Sequence, residues 1–324
     1  MARALQDIKS PISKELEAFE SHFKKAMKSQ VALLDKIMYY IIRRKGKRVR
    51  PMFVFLSARM CGEIGPSTYT AASLIELLHT ATLVHDDVVD DAHKRRGMFS
   101  INALWKNKIA VLVGDYLLSR GLLLAIDNNE FELLRIVSRA VKEMSEGELM
   151  QIEKARRLDI TEEVYFEIIR QKTASLIASA CAAGAASTTS DPALVEHMRK
   201  MGETIGLAFQ IKDDLMDYGT DDIGKPRAID IKEKKLTLPI IHTLRNAPGP
   251  ARRRILNTIR NHNTDHKKVG EVIRIVRETG GLDYTRTRMQ ELRDQALEMA
   301  GALPETQASQ AMRELIAFVI DRKQ

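Results

Sequence analysis

The sequence is short of almost everything that would mark a secreted, membrane-embedded or nucleic-acid-reading protein. It holds only two cysteines, Cys61 and Cys181, in 324 residues. Two thiols cannot build a disulfide framework and fit a reducing compartment, here read as the cytoplasm. Neither stands in a cluster of metal-ligand residues, so both are expected as buried helix thiols. Met1 to Ser10 lack the apolar stretch of a signal peptide. No stretch is read as approaching the length of a membrane span; the longest candidate, Ala174 to Ala186, is short and rich in Ala and Ser. Aromatic residues make up 5% of the chain, and no recognition module is visible, which argues against nucleic acid as a partner. Alternating strand-like runs are nearly absent, and no repeat or low-complexity tract appears.

What remains is helical. Apolar residues recur every three or four positions through Leu16 to Ile42, Phe53 to Met60, Ser73 to Val89 and Ile109 to Ile126. The pattern continues through Phe131 to Ile152, Val164 to Ala186 and Leu194 to Tyr218. Breaks fall at Cys61 to Pro66, Ser190-Asp191-Pro192, Ala247 to Pro250 and Gly280-Gly281. No composition shift marks a linker, so residues 1–324 are read as one all-α domain. The least helical long stretch, Gly219 to Lys235, is polar, and a long polar loop of this kind is often functional.

Hydrophobic residues are 44% of the chain and charged residues 29%, with a formal net charge of +8. A basic balance suits nucleic acid, an anionic membrane surface or an anionic small molecule. The placement of the charges discriminates among these. Asp86-Asp87-Val88-Val89-Asp90 closes one apolar helical run, and Asp213-Asp214-Leu215-Met216-Asp217 closes another. On a helix the first and last Asp of each set stand one turn apart on one face. Their mutual repulsion is relieved by a divalent cation, and Mg²⁺ prefers a few carboxylates together with phosphate oxygens. One such cluster is an ordinary solvated helix end; two copies are harder to dismiss. If the two helices face each other, six carboxylates can hold several Mg²⁺ ions around one diphosphate. Basic residues are interleaved: Arg43 to Arg50, Arg95-Arg96, Lys172, Lys225 and Lys235. Arg and Lys both bind diphosphate oxygens.

Taken together these residues resemble the trans-isoprenyl diphosphate synthases, or polyprenyl synthetases. Lys45-Gly46-Lys47-Arg48-Val49-Arg50-Pro51 is similar to that family's Gly-Gly-Lys-Arg-x-Arg-Pro signature, with Lys45 in place of the first Gly. His79 to Asp91 with Arg95-Arg96-Gly97 resembles the first aspartate-rich motif. Gln171 to Ala174 and Phe209 to Asp214 resemble the allylic-site helix and the second motif. Gly224-Lys225-Pro226 and Lys235 to Pro239 resemble the loop that follows.

The resemblance implies a helical bundle of the isoprenoid synthase type around a central substrate cavity, and a homodimer. It implies that Lys47, Arg50, His79 and Arg96 hold isopentenyl diphosphate. Asp86, Asp87, Asp90, Asp213, Asp214 and Asp217 would bind Mg²⁺. Arg95, Lys172, Lys225 and Lys235 would neutralise the allylic diphosphate, with Thr173 and Gln210 beside the reacting carbon. It further implies that the growing chain runs past Ala81, Thr82, Leu78 and Ile75. Short-chain relatives carry an aromatic near Ala81; small residues here point to a heptaprenyl to nonaprenyl product, a quinone side-chain precursor, released with a transient membrane contact. The readings weighed against it are a shorter-chain geranylgeranyl or farnesyl synthase, a class I terpene cyclase, a silent partner subunit and a basic helical binding protein.

Overall fold

The computed structural model describes residues 2–43, 48–95, 97–219 and 228–321. Three expected site residues, Lys47, Arg96 and Lys225, lie outside them. Among the described residues there are sixteen α-helices and one two-stranded ribbon, Lys94–Arg95 against Met98–Phe99. The all-α expectation holds. The chain divides into two compact units, residues 1–141, 176–202 and 300–315 in the first, and 142–175, 203–299 and 316–324 in the second.

The first unit is built on helix Pro66–Val89, whose packing against helix Ile101–Asp127 is its most extensive contact. Pro66 and Gly65 start the long helix where Pro fits, at a first turn that has no partner for its N–H. Its inward residues, among them Leu74, Ile75, Leu77, Leu78 and Ala81, are fully buried. Phe19, Phe23, Phe55 and Tyr69 form a chain of ring contacts at 5.3–6.0 Å beside it. The Ala-rich helix Ser175–Ala186 lies against Val49–Cys61, where a side chain on Gly184 would collide with the Val54 carbonyl. Small residues there serve close helix contact.

Two expectations need correction. Leu16 to Ile42 reads as one periodic run, but the chain forms two helices, Ser13–Ala26 and Ala32–Arg43. The Ser29 hydroxyl accepts the Val31 N–H at 3.2 Å, a local side-chain bond that competes with the helix and that periodicity does not register. Helix Ile101–Asp127 is, by length and composition, long and apolar enough to cross a membrane, contrary to the reading above. Its apolar content serves two faces. Ala110, Val113, Leu117 and Ala125 are buried, while Leu104, Val111, Leu112, Leu122, Leu123 and Ile126 are exposed. The helix also carries an interruption at Lys106, whose backbone sits at φ 73°, ψ 159°.

The second unit has its own core, with Tyr165, Ile169, Ile211, Tyr218, Ile240, Ile255, Val272 and Val276 buried together. Gly281 starts helix Gly281–Gly301 against the Pro239 carbonyl, at a distance no side chain would fit.

Candidate active site

The first acidic cluster ends helix Pro66–Val89. Asp86 is half-buried and Asp90 exposed. Asp87 turns inward, 1% exposed. Its Oδ1 accepts Arg95 Nε at 2.6 Å, and its carbonyl accepts Asn102 Nδ2 at 3.0 Å. The ribbon explains how Arg95 reaches it. Gly97, at φ 78°, lets the chain reverse, and the pairing of Arg95 with Met98 returns the guanidinium to the helix end. His79 is buried, seven residues before Asp86 and so on nearly the same face. Arg48 caps this region from another helix, its Nη1 3.0 Å from Glu76. Arg50 is half-buried in the first turn of helix Val49–Cys61.

The second cluster repeats the arrangement. Asp214 is the buried member, 5% exposed. Its Oδ2 accepts the Tyr165 hydroxyl at 2.6 Å and its Oδ1 accepts Gln210 Nε2 at 2.9 Å. Burial, opposed by these two bonds and reinforced by Asp213 and Asp217, raises its pKa to about 7. Asp213 is raised by desolvation and by Asp217. The Asp217 carboxylate accepts the Ile229 N–H at 2.8 Å and the Asp230 N–H at 3.0 Å, and so caps helix Ile229–Lys232. Asp230, which sequence reasoning missed, is pushed to about 8 by burial first, then by Asp214 and Asp217. Lys235 pairs with Glu233 at 2.5 Å.

Lys172 and Thr173 stand in a π turn, Arg170–Ala174, between helices Glu162–Ile169 and Ser175–Ala186. The Ser175 N–H reaches back five residues to the Arg170 carbonyl, and the Ser175 hydroxyl takes the Gln171 carbonyl at 2.6 Å. Such turns are frequent at functional positions. Two glycines let neighbouring helices grip it. A Cβ on Gly147 would lie 2.8 Å from Lys172 N, and one on Gly206 would lie 2.5 Å from Ala174 Cα. The first approach brings Glu148 onto Lys172 Nζ as an ion pair. The second brings Gln210 Oε1 within 2.8 Å of the Thr173 hydroxyl. Arg170 is ringed by Glu167, Glu143 and Glu203 at 2.8–3.7 Å. Lone glycines inside the helical stretches 131–157 and 192–217 were the sequence signal for this close packing. Ala81, Leu78 and Ile75 are buried and Thr82 is half-buried, its hydroxyl bonded to the His79 carbonyl at 3.0 Å.

Residues 31–276 match the family described as polyprenyl synthetase. The chain belongs to the polyprenyl synthetase family. It is 38% identical over 322 residues to the all-trans-nonaprenyl-diphosphate synthase (geranyl-diphosphate specific) of Rhodobacter capsulatus, covering 98% of each chain. The crystal structure of a decaprenyl diphosphate synthase from Rhodobacter capsulatus superposes with a TM-score of 0.92 at 32% identity, covering 98% of each chain. A polyprenyl synthase from Caulobacter crescentus CB15, solved with calcium and isoprenyl diphosphate, has a TM-score of 0.89 at 31% identity, covering 99% of this chain and 98% of that one.

For a polyprenyl synthetase the two helix ends are built alike, except that Asp217 also accepts the Ile229 and Asp230 N–H groups. In each, the middle aspartate is spent on protein partners, Asp87 on Arg95 and Asp214 on Tyr165 and Gln210. The outer members, Asp86 with Asp90 and Asp213 with Asp217, share one helix face one turn apart. Hard carboxylate oxygens in that spacing fit Mg²⁺, which takes oxygen ligands and keeps several waters.

Proposed function

We propose that this protein is a trans-polyprenyl diphosphate synthase, joining isopentenyl diphosphate repeatedly to an allylic diphosphate to give a long all-trans chain. The observation that carries the reading is the repeated helix end, one buried aspartate bonded to protein groups and a flanking pair one turn apart, in a chain of this family. Magnesium, when bound, neutralises the departing diphosphate and so lowers the barrier to C–O cleavage. Asp86 and Asp90 would hold it at the end of one helix, and Asp213, with Asp217 as a further donor, would hold it at the end of the other. Lys172, held by Glu148, would neutralise the allylic diphosphate, the role also assigned to Arg95, Lys225 and Lys235. Thr173 and Gln210 line the reacting carbon with oxygen lone pairs. Lys47, Arg50, His79 and Arg96 orient isopentenyl diphosphate so that its double bond attacks the allylic carbon. The released diphosphate takes the proton, so no protein base is assigned.

Residues 1–324 act as one catalytic domain in the cytoplasm. The exposed apolar stripe Leu104, Leu112, Leu122, Leu123 and Ile126 follows one face of its helix and supports a homodimer through that face. Small residues at Ala81 and Thr82 favour a chain of about seven to nine isoprene units, used as a quinone side chain. The test is product analysis with labelled isopentenyl diphosphate, geranyl or farnesyl diphosphate, and Mg²⁺. The expected result is a ladder ending at seven or more units and abolished by EDTA. Cyclised product, or none from folded protein, overturns the reading.

A further inference from the structure

We propose that Tyr165 and Asp214 form a positioning pair that fixes the Gln210 amide and, through it, the Thr173 hydroxyl, so that lone pairs rather than a proton face the ionising allylic carbon. The inference rests on the prenyl-transfer reading and adds to it residues that do not touch substrate.

Four groups make one hydrogen-bonded line: Tyr165 hydroxyl to Asp214 Oδ2 at 2.6 Å, Gln210 Nε2 to Asp214 Oδ1 at 2.9 Å, and Thr173 hydroxyl to Gln210 Oε1 at 2.8 Å. Tyr165 and Asp214 are both buried. Burying a carboxylate is costly, and an apolar pair of the same shape would often be as stable. What the carboxylate supplies is direction. Asp214 accepts at both of its oxygens, from Tyr165 and from Gln210, so the Gln210 amide presents its NH₂ to Asp214 and its oxygen to Thr173. That oxygen then draws the Thr173 proton toward Gln210. The Thr173 lone pairs are left for an approaching cation. Were the amide reversed, its NH₂ would donate to Thr173, and the hydroxyl proton would turn outward to repel the cation. Tyr165 occupies the other carboxylate oxygen and holds the group in plane. The close approach at Gly206 and Ala174 makes the line short enough to work.

The experiment compares Tyr165→Phe and Asp214→Asn in the full-length enzyme, alone and combined with Thr173→Ala. Tyr165→Phe removes one oxygen without altering shape, and a lost hydrogen bond to a charged group corresponds to roughly a tenfold fall in kcat. KM for both diphosphates and half-saturation by Mg²⁺ should stay within about twofold, because the pair touches neither substrate nor metal. Asp214→Asn should cost more, since an amide cannot accept from both neighbours. In the Thr173→Ala background the Tyr165→Phe penalty should vanish, as expected when one residue acts through the other. Wild-type kcat in Tyr165→Phe, an undiminished penalty in the double variant, or a raised Mg²⁺ requirement in Asp214→Asn overturns the inference. The last result would make Asp214 a metal ligand. Absence of Mg²⁺-dependent prenyl transfer in the unaltered enzyme would instead refute the proposed function.

Discussion

Gly206→Ala tests whether the site depends on the closeness of two helices. A Cβ at this position meets Ala174 Cα at 2.5 Å and Ala174 Cβ at 2.7 Å, where ordinary contact needs 3.4 Å or more. The obstruction includes backbone, so helix Pro192–Asp217 must retreat from the π turn by something under about 1 Å. That movement would stretch the 2.8 Å bond between Thr173 and Gln210 to the edge of hydrogen-bonding range. Overpacking costs about 1–3 kcal/mol, and the weakened bond about 1 kcal/mol more. Alanine returns about 0.5–1 kcal/mol because glycine is a poor helix former. A net loss of about 1–3 kcal/mol is expected, with a fall in kcat. The matched control is Gly270→Ala, in the interior of helix His266–Glu278, where a Cβ meets nothing within 4 Å. It carries the helical gain without the collision and should stabilise by about 0.5–1 kcal/mol at unchanged kcat. Urea melts and steady-state rates on both variants decide the matter. A Gly206→Ala protein as stable as Gly270→Ala and fully active would refute the reasoning.

Other expectations are as direct. Lys106→Gly should raise the urea midpoint, because a non-glycine backbone at φ 73°, ψ 159° stores about 1–3 kcal/mol, more than glycine loses in flexibility; a lowered midpoint would show that contacts of Lys106 outweigh its strain. Arg95→Met should cost about 3–5 kcal/mol by stranding the buried Asp87 carboxylate; adding Asp87→Asn should recover part of it, and no recovery would show that the pair is not what Arg95 supplies. Burial raises the thiols of Cys61 and Cys181 to about 11 and about 12. Native protein at pH 8 should therefore resist a thiolate-selective reagent that labels both after unfolding. The protonated thiols stabilise the fold fully below the unfolded thiol pKa, and that contribution fades as pH climbs toward the folded values; rapid labelling of native protein would contradict this. Ala81→Tyr should shorten the product to about four units, read by the same chain-length assay, and an unchanged ladder would remove Ala81 from the channel.

Helices, their Pro and Gly breaks and both aspartate clusters were legible because each rests on local pattern: a three-to-four period, Pro and Gly punctuation, and charges one turn apart; the break at Ser29, which has neither Pro nor Gly, was not. The roles inside the clusters were less so. Asp86, Asp87 and Asp90 look alike in a string of letters, and only the ribbon that returns Arg95 distinguishes the inward member. Tyr165 was invisible for the same reason, since its partner lies 49 positions away. Asp230 lies within the stretch Gly219 to Lys235 and joins the acidic group through the turn that Asp217 caps. The apolar length of Ile101–Asp127 was underread because charges at Lys106, Lys108, Asp115 and Arg120 break the run without lowering its average enough to exclude a span.

The wide turn at Arg170–Ala174 has a consequence for phase. Tyr165 and Thr173 are eight positions apart, which on a regular helix would point them roughly 80° away from each other. One inserted residue reduces the effective spacing to about seven, close to two full turns. Both side chains then address the same neighbouring helix, at Asp214 and Gln210. Straightening the turn with every residue retained would leave a smoother helix and every atom of the hydrogen-bonded line present, yet rotate its two ends out of register.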